Sequence, residues 1–588
     1  MDFRITDLNK GSRVTLSPRE VSPELTLVDI HIEFESAQAP KPVTLTWRIP
    51  MIDIYSLWMP LAGSKRTLGA DWGKVSAESR LACGAPVKQL ISQSGRNRYT
   101  VALSDAATPI DIRSGVVEET AEMELELCIF TRLQNAISKY DATLYLSTAD
   151  IPYEQALCGV ERWWSNECGY PNAYTPDAAR RPMYSTWYSL HQDTDPEKIV
   201  GQCRLAKSLG MDTVIVDDGW QTADGNRGYA YCGDWRPHPA KIPDMKKFVD
   251  DVHATGMKIM IWYSMPFVGN HSDAYERFRD MSLRYKSVSE SDGWLSLDPR
   301  FPEVRRYLVD IYVSAVRDWG LDGLKLDFID SFRLEPTTPV HDPRRDTESI
   351  EVAVDALLRE TTDALRAIDP EILIEFRQKY VGPNIRKYGN MFRVGDCPND
   401  SMRNRVGTVD LRFTTGSGAV HSDMLMWNTA EPVELAASQV IATLFSVPQI
   451  SVLLDRLPDE HRRMLAFYLG FWNENRDILL DGEIRAENPE SLYSCVRASA
   501  DRGEIAVAYV DRVVDLDGSR RFVCINGKGT PGLTIRYPAA ASGARYFIRS
   551  CLGETLEEGS LPSIAGGRGI VELPVAVSGM VEIMMNDE

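Results

Sequence analysis

The chain has no run approaching the ~20 apolar residues needed to cross a bilayer, no CxxC pair and no His/Cys cluster at metal-ligand spacing. Membrane spanning and structural zinc are therefore not expected, and no cofactor is implied. Its ten cysteines are scattered, as free thiols in a reducing compartment would be. The opening segment MDFRITDLNKGSR has no apolar stretch of the kind a secretory signal needs, so the protein as given is expected to be cytoplasmic. A long basic run is also missing. With 84 acidic against 65 basic side chains and a formal charge of −19, a nucleic-acid or other polyanionic partner is not expected. Low-complexity linkers and short internal repeats are absent as well.

What is present suits a large folded protein: 588 residues, 44% hydrophobic, 9% aromatic and 25% charged. That length exceeds one hydrophobic core, so two or three domains are expected. Residues 1–155 carry short alternating segments such as LTLVDIHIEF and ATLYLSTA between turn residues, which suggests a β-sandwich. Residues 156–481 change to apolar strand, loop and amphipathic helix, repeated. Eight strand candidates occur in order: PMYSTWYS, DTVIVDDGW, KIMIWYSM, LDGLKLDFI, EILIEF, MFRVGD, HSDMLMW and ISVLLD. Eight such units predict a closed (β/α)8 TIM barrel. Residues 482–588 lose the helical period and predict a C-terminal antiparallel β domain.

In such a barrel the functional residues sit at the C-terminal strand ends. GLKLDFID is the strongest candidate, because alternation puts Lys325 and Asp327 on one face. An ammonium beside Asp327 would keep it ionised and available as a nucleophile; the plain alternative is an ion pair that only closes the barrel. VIVDDGWQ ends with Asp217 and Asp218, which converge on one ligand only if the strand stops there, as Gly219 permits. Such acceptors suit vicinal sugar hydroxyls, whereas a capping aspartate and a core tryptophan are the structural alternative. YCGDWRPHPAKIP adds Asp234 and Trp235. FRVGDCPND places Asp396 at the end of strand six, with Asp400, Arg403 and Arg405 at the start of a helix. A second carboxylate across from Asp327 is what glycoside hydrolysis needs, although an N-cap accounts equally well for this segment. The eight histidines form no metal triad, and His421 is the one that begins a predicted strand.

Taken together, VDDGWQ, GDW, KIPDMKKFVDDVHATGMKIMIW, LSLDPRFPEVRRYL, GLKLDF and RVGDCPND resemble glycoside hydrolase family 36 and its relative family 27 over about residues 182–400. The resemblance implies a retaining exo-α-glycosidase, most naturally an α-galactosidase, with Asp327 as nucleophile and Asp396 as acid/base. It assigns Asp217, Asp218, Trp235 and Lys325 to holding the terminal sugar. Arg377 and Asp400 are added as substrate-binding candidates. The implied partner is an oligosaccharide or glycoside, with no cofactor; homo-oligomerisation is left open.

Departures from the family pattern fall around the sugar. Ile329 stands where Asn is usual, and IEFRQKYVGP, with Arg377, Gln378 and Lys379, replaces a Cys- and Gly-rich loop. The alternatives are a related enzyme for a different, substituted or acidic sugar, an α-N-acetylgalactosaminidase, a transglycosylase, or a carbohydrate-binding protein without turnover. A phosphate-handling barrel would want a Gly-rich site late in the barrel, which ISVLLDRLPDEH does not offer.

Overall fold

The computed structural model describes residues 2–286, 292–377 and 379–585. Two six-stranded antiparallel sheets built from residues 4–147 face one another. Their strands alternate as the sequence does: in Leu25–Gln38, Val28, Ile30, Ile32 and Phe34 are buried while Asp29, Glu33 and Glu35 are exposed. A separate apolar core including Leu45, Trp47 and Leu125 fills the space between the sheets.

The middle of the chain is an eight-stranded parallel sheet of β1 Met183–Ser185, β2 Thr213–Val216, β3 Lys258–Ser264, β4 Gly323–Asp327, β5 Leu373–Arg377, β6 Met391–Arg393, β7 Ala419–His421 and β8 Gln449–Ile450. Bridges from His421 to Val447 and from Leu425 to Ile450 close it into a barrel. The helices follow the sequence pattern: α1 Pro196–Ser208, α2 Met245–His253, α3 Pro302–Ser314, α4 Ile350–Ile368, α5 Ser401–Arg412, α6 Val433–Ile441 and α7 Asp459–Glu474. Asp195 and Asp244 accept backbone N–H bonds at the starts of α1 and α2, satisfying donors the helix itself leaves open. Among the described residues no helix is long and apolar enough to cross a membrane.

Two strands differ from the sequence reading. β7 ends at His421, so most of HSDMLMW is a loop, and β8 overlaps ISVLLD only at Ile450. The reason is Asp423, whose backbone N–H and carboxylate are held by distant residues rather than by a neighbouring strand.

Residues 483–584 form a seven-stranded and a three-stranded sheet around a third core, containing Phe522, Ile535 and Ile583. Most pairings are antiparallel, but Gly503–Ala508 with Arg521–Asn526 and Val513–Asp515 with Leu533–Pro538 run parallel. The three parts meet at α5. Its buried Asp410 accepts from Trp58 Nε1 at 2.9 Å, from Arg66 Nη2 at 2.6 Å and from the Tyr493 hydroxyl.

Candidate active site

Asp327 is the last residue of β4, and its buried side chain points into the barrel mouth. Its Oδ2 accepts from Trp262 Nε1 at 2.9 Å and Arg377 Nε at 2.6 Å, and its Oδ1 accepts from the Phe328 backbone at 2.7 Å. Phe328 takes a left-handed φ of 63°, uncommon for a large side chain, and so turns the chain immediately after the carboxylate.

The expected partner of Asp327 is not the one found. Lys325 Nζ lies 2.5 Å from Asp217 Oδ2, and both side chains are buried. Alternate residues of a strand rise roughly 6.6 Å apart, so Lys325 reaches across the barrel while Arg377 from neighbouring β5 serves Asp327. The two carboxylates after β2 also separate. Gly219, at φ 115°, lies so close to Gln192 that a Cβ there would sit 2.5 Å from its backbone, and this tight turn directs Asp218 elsewhere. Gln192 and Gln221 each donate to Asp218 at 2.7 Å. Burial raises its pKa to about 6, against the opposing effect of those two amides.

Asp396 lies beyond the end of β6 with its side chain 40% exposed. Arg393 Nη2 donates to Oδ1 at 2.9 Å, and Arg377 Nη1 approaches Oδ2 at 3.3 Å. Its partial burial would raise the pKa, but Arg393, then Arg377 and Lys325, hold it well below the usual carboxylate range. Arg377 thus spans both predicted catalytic carboxylates, with its guanidinium 5.0 Å from the centre of the Phe328 ring. Arg393, fully buried, also binds Asp423, which accepts from the Tyr188 hydroxyl at 3.0 Å and the Cys397 N–H at 2.6 Å. Behind them burial raises the pKa of Glu375, whose Oε2 accepts from Gln449 at 2.5 Å.

Trp235 is buried between Trp220, Trp262 and Tyr263, and its Nε1 has no partner among the described residues. Asp234 caps the short helix at Asp273. Asp400 caps α5 through the Arg403 N–H at 2.9 Å and lines an adjoining cavity, away from the Asp327 cluster. His421 is a core residue bonded to the Ala179 carbonyl at 2.7 Å, and burial lowers its pKa to about 4. Gln378 lies outside the described residues. Trp262, Arg393, Glu375 and Asp423 went unnoticed in the sequence, although Glu375, Arg377 and Arg393 alternate with apolar residues inside buried strands, a signal of inward-facing charge.

Residues 173–377 match the melibiase family model. The match covers β1 to β5, and with it the resemblance to family 36 holds. The chain is 30% identical over 154 residues to the bifunctional alpha-galactosidase/sucrose kinase AgaSK of Mediterraneibacter gnavus, covering 26% of this chain and 16% of that protein. It is 26% identical over 204 residues to alpha-galactosidase AgaA of Geobacillus stearothermophilus, covering 34% and 27%. These alignments therefore span well under a third of either relative's length. A crystal structure of AgaA with 1-deoxygalactonojirimycin superposes with a TM-score of 0.68 at 16% identity, over 98% of this chain and 82% of that one. The three-part architecture is that of the family 36 structures.

Proposed function

We propose that this chain is a retaining exo-α-glycosidase that releases terminal α-linked galactose, with Asp327 as nucleophile and Asp396 as acid/base. The observation that carries the reading is Arg377 bridging the two carboxylates at the barrel mouth, since acids that share one guanidinium can act on a single glycosidic bond. The curated relatives support galactose. The orphaned indole N–H of Trp235 supports a role in holding the sugar, because a buried donor without a partner is costly until a ligand oxygen meets it. Asp217, Lys325 and Asp218 complete that pocket, whereas Asp400, also expected to bind substrate, caps α5 in the adjoining cavity. The same proposal divides the chain at 1–155, 156–481 and 482–588, and takes it to be cytoplasmic, as ten unpaired cysteines suit.

In the first step Asp327 attacks the anomeric carbon, the bond to the leaving oxygen breaks, and Asp396 gives that oxygen its proton. Water then attacks the same carbon and yields a proton to Asp396. The ester to Asp327 breaks, and the sugar leaves with its configuration retained. Asp396 must carry a proton at the outset, so the incoming sugar displaces Arg377 Nη1 and relieves part of the positive field that keeps Asp396 ionised.

A panel of aryl α-glycosides, followed by trapping and mapping of the glycosyl-enzyme, tests this reading. Label on a residue other than Asp327 overturns the assignment, and sugar binding without cleavage across the panel supports a carbohydrate-binding protein. Products enlarged by excess acceptor identify a transglycosylase. One observation favours a second sugar: Arg377 Nη2 makes no hydrogen bond among the described residues, which suits a carboxylate or sulfate on the ring. Uronides and sulfated galactosides in the panel decide between the two.

A further inference from the structure

We propose that the cavity beside Asp396 receives the leaving alcohol and selects one bearing an anionic group, above all a phosphate monoester. This rests on the glycosidase reading and names its substrate class.

The cavity measures about 740 Å³, within the usual range for small-molecule sites, and lies between the sandwich loop 60–65, the segment after β5, the end of β6 and helix α5. Asp396 is in its wall and Asp327 is not. An acid that protonates the leaving oxygen faces the leaving group, so this side of Asp396 is where the alcohol departs.

The charges of the wall then identify what it takes. Two of its carboxylates are answered by guanidinium groups, Asp396 by Arg393 and Arg377 and Asp410 by Arg66, whereas Asp400 keeps its charge and accepts the backbone N–H of Arg403. Its exposed cations are not engaged. The side chains of Lys65, Lys379 and Arg403 make no hydrogen bond or ion pair among the described residues. In a chain of net charge −19, these three exposed cations face one carboxylate without a cationic partner, Asp400, and so leave the wall with an excess of positive charge. Among the described residues the lining holds no tryptophan, tyrosine or phenylalanine, and so no ring for stacking a second sugar. Two ammonium groups and a guanidinium suit a phosphate dianion better than a single carboxylate.

The test compares α-galactosyl glycerol with its phosphate ester on the full chain and on the triple variant Lys65→Ser, Lys379→Ser, Arg403→Ser, whose exposed positions spare the core. The phosphate ester is expected to win in kcat/KM by about tenfold at low salt, a ratio that falls as ionic strength rises and collapses toward one in the triple variant. Equal rates, or a preference that survives the triple substitution, overturn the proposal. A preference for charge on the galactose ring instead assigns the effect to Arg377 and also overturns it. Calorimetry with free glycerol phosphate and glycerate supplies an arm independent of turnover. Binding of the phosphate, weaker binding of glycerate and loss of both in the triple variant support the cavity even if neither galactoside is cleaved, a result that would sink the glycosidase reading alone. Cleavage with no binding and no preference sinks only the cavity.

Discussion

The two sides of the barrel mouth solve the problem of buried charge differently. On the side of β2 and β4, Asp217 and Lys325 form one close pair sealed from solvent, and Asp218 is held by two neutral amides. On the side of β5 to β7, Arg377 and Arg393 are shared among Asp327, Asp396, Glu375 and Asp423. A closed pair fixes shape. A guanidinium divided between two acids can be drawn away from one of them, which is what a site needs if its acid is to gain and lose a proton. The first side falls within the melibiase match, whereas Asp396, Arg393 and Asp423 lie beyond it.

Breaking the shared side should have the larger effect. Asp327→Ala is expected to lower kcat on an aryl α-galactoside by about a thousandfold or more, as loss of a nucleophile does, and azide rescue of the rate would confirm the vacancy at the anomeric carbon. Full activity in both Asp327→Ala and Asp396→Ala would end the comparison. Arg377→Met leaves Asp327 buried with less compensation and should cost about 3 kcal/mol in urea unfolding. It should also move the alkaline limb of the pH–rate profile upward, because Asp396, which must be protonated to act, is relieved of one positive neighbour; an unchanged limb would show that Arg393 alone sets it.

The paired side should answer mainly in stability. Asp218 holds its proton more tightly folded, to about pH 6, than unfolded, where an aspartate titrates near 3.9. Its contribution is therefore fully favourable below the unfolded value and is lost as pH rises to about 6. Asp218→Asn should remove that loss, about 3 kcal/mol, measured as a stability difference between pH 4 and pH 7. Trp235→Phe should have the smallest effect. Deleting the unsatisfied N–H offsets part of the packing lost against Trp220, Trp262 and Tyr263, so stability should change by only about 1 kcal/mol while KM for the galactoside rises; an unchanged KM would remove Trp235 from the sugar pocket.

The sequence was most informative where function and local pattern coincide. Six strands could be placed because apolar runs such as TVIV, KIMIW and LIEF end in polar residues at the mouth, and the helices because apolar spacing and capping aspartates mark them. Strand seven was displaced because DMLMW alternates like a strand, while Asp423 is held by Arg393, Cys397 and Asn404, contacts that no local pattern records. Lys325 and Asp327 share a strand face, yet facing the same way does not bring two side chains together, and Lys325 pairs with Asp217. Arg377 stood out only as a departure from the family pattern, and its position between the two acids depends on β4, β5 and β6 lying side by side.

Trp262 places an indole N–H directly on the carboxylate of Asp327 and accepts the Trp220 N–H at its carbonyl, 3.0 Å away. Esterification would erase the charge beside that ring and change its emission. The site therefore contains its own optical probe, and although the chain has thirteen tryptophans, subtracting the signal of Trp262→Phe isolates the one that reports, in real time, how long the sugar stays attached.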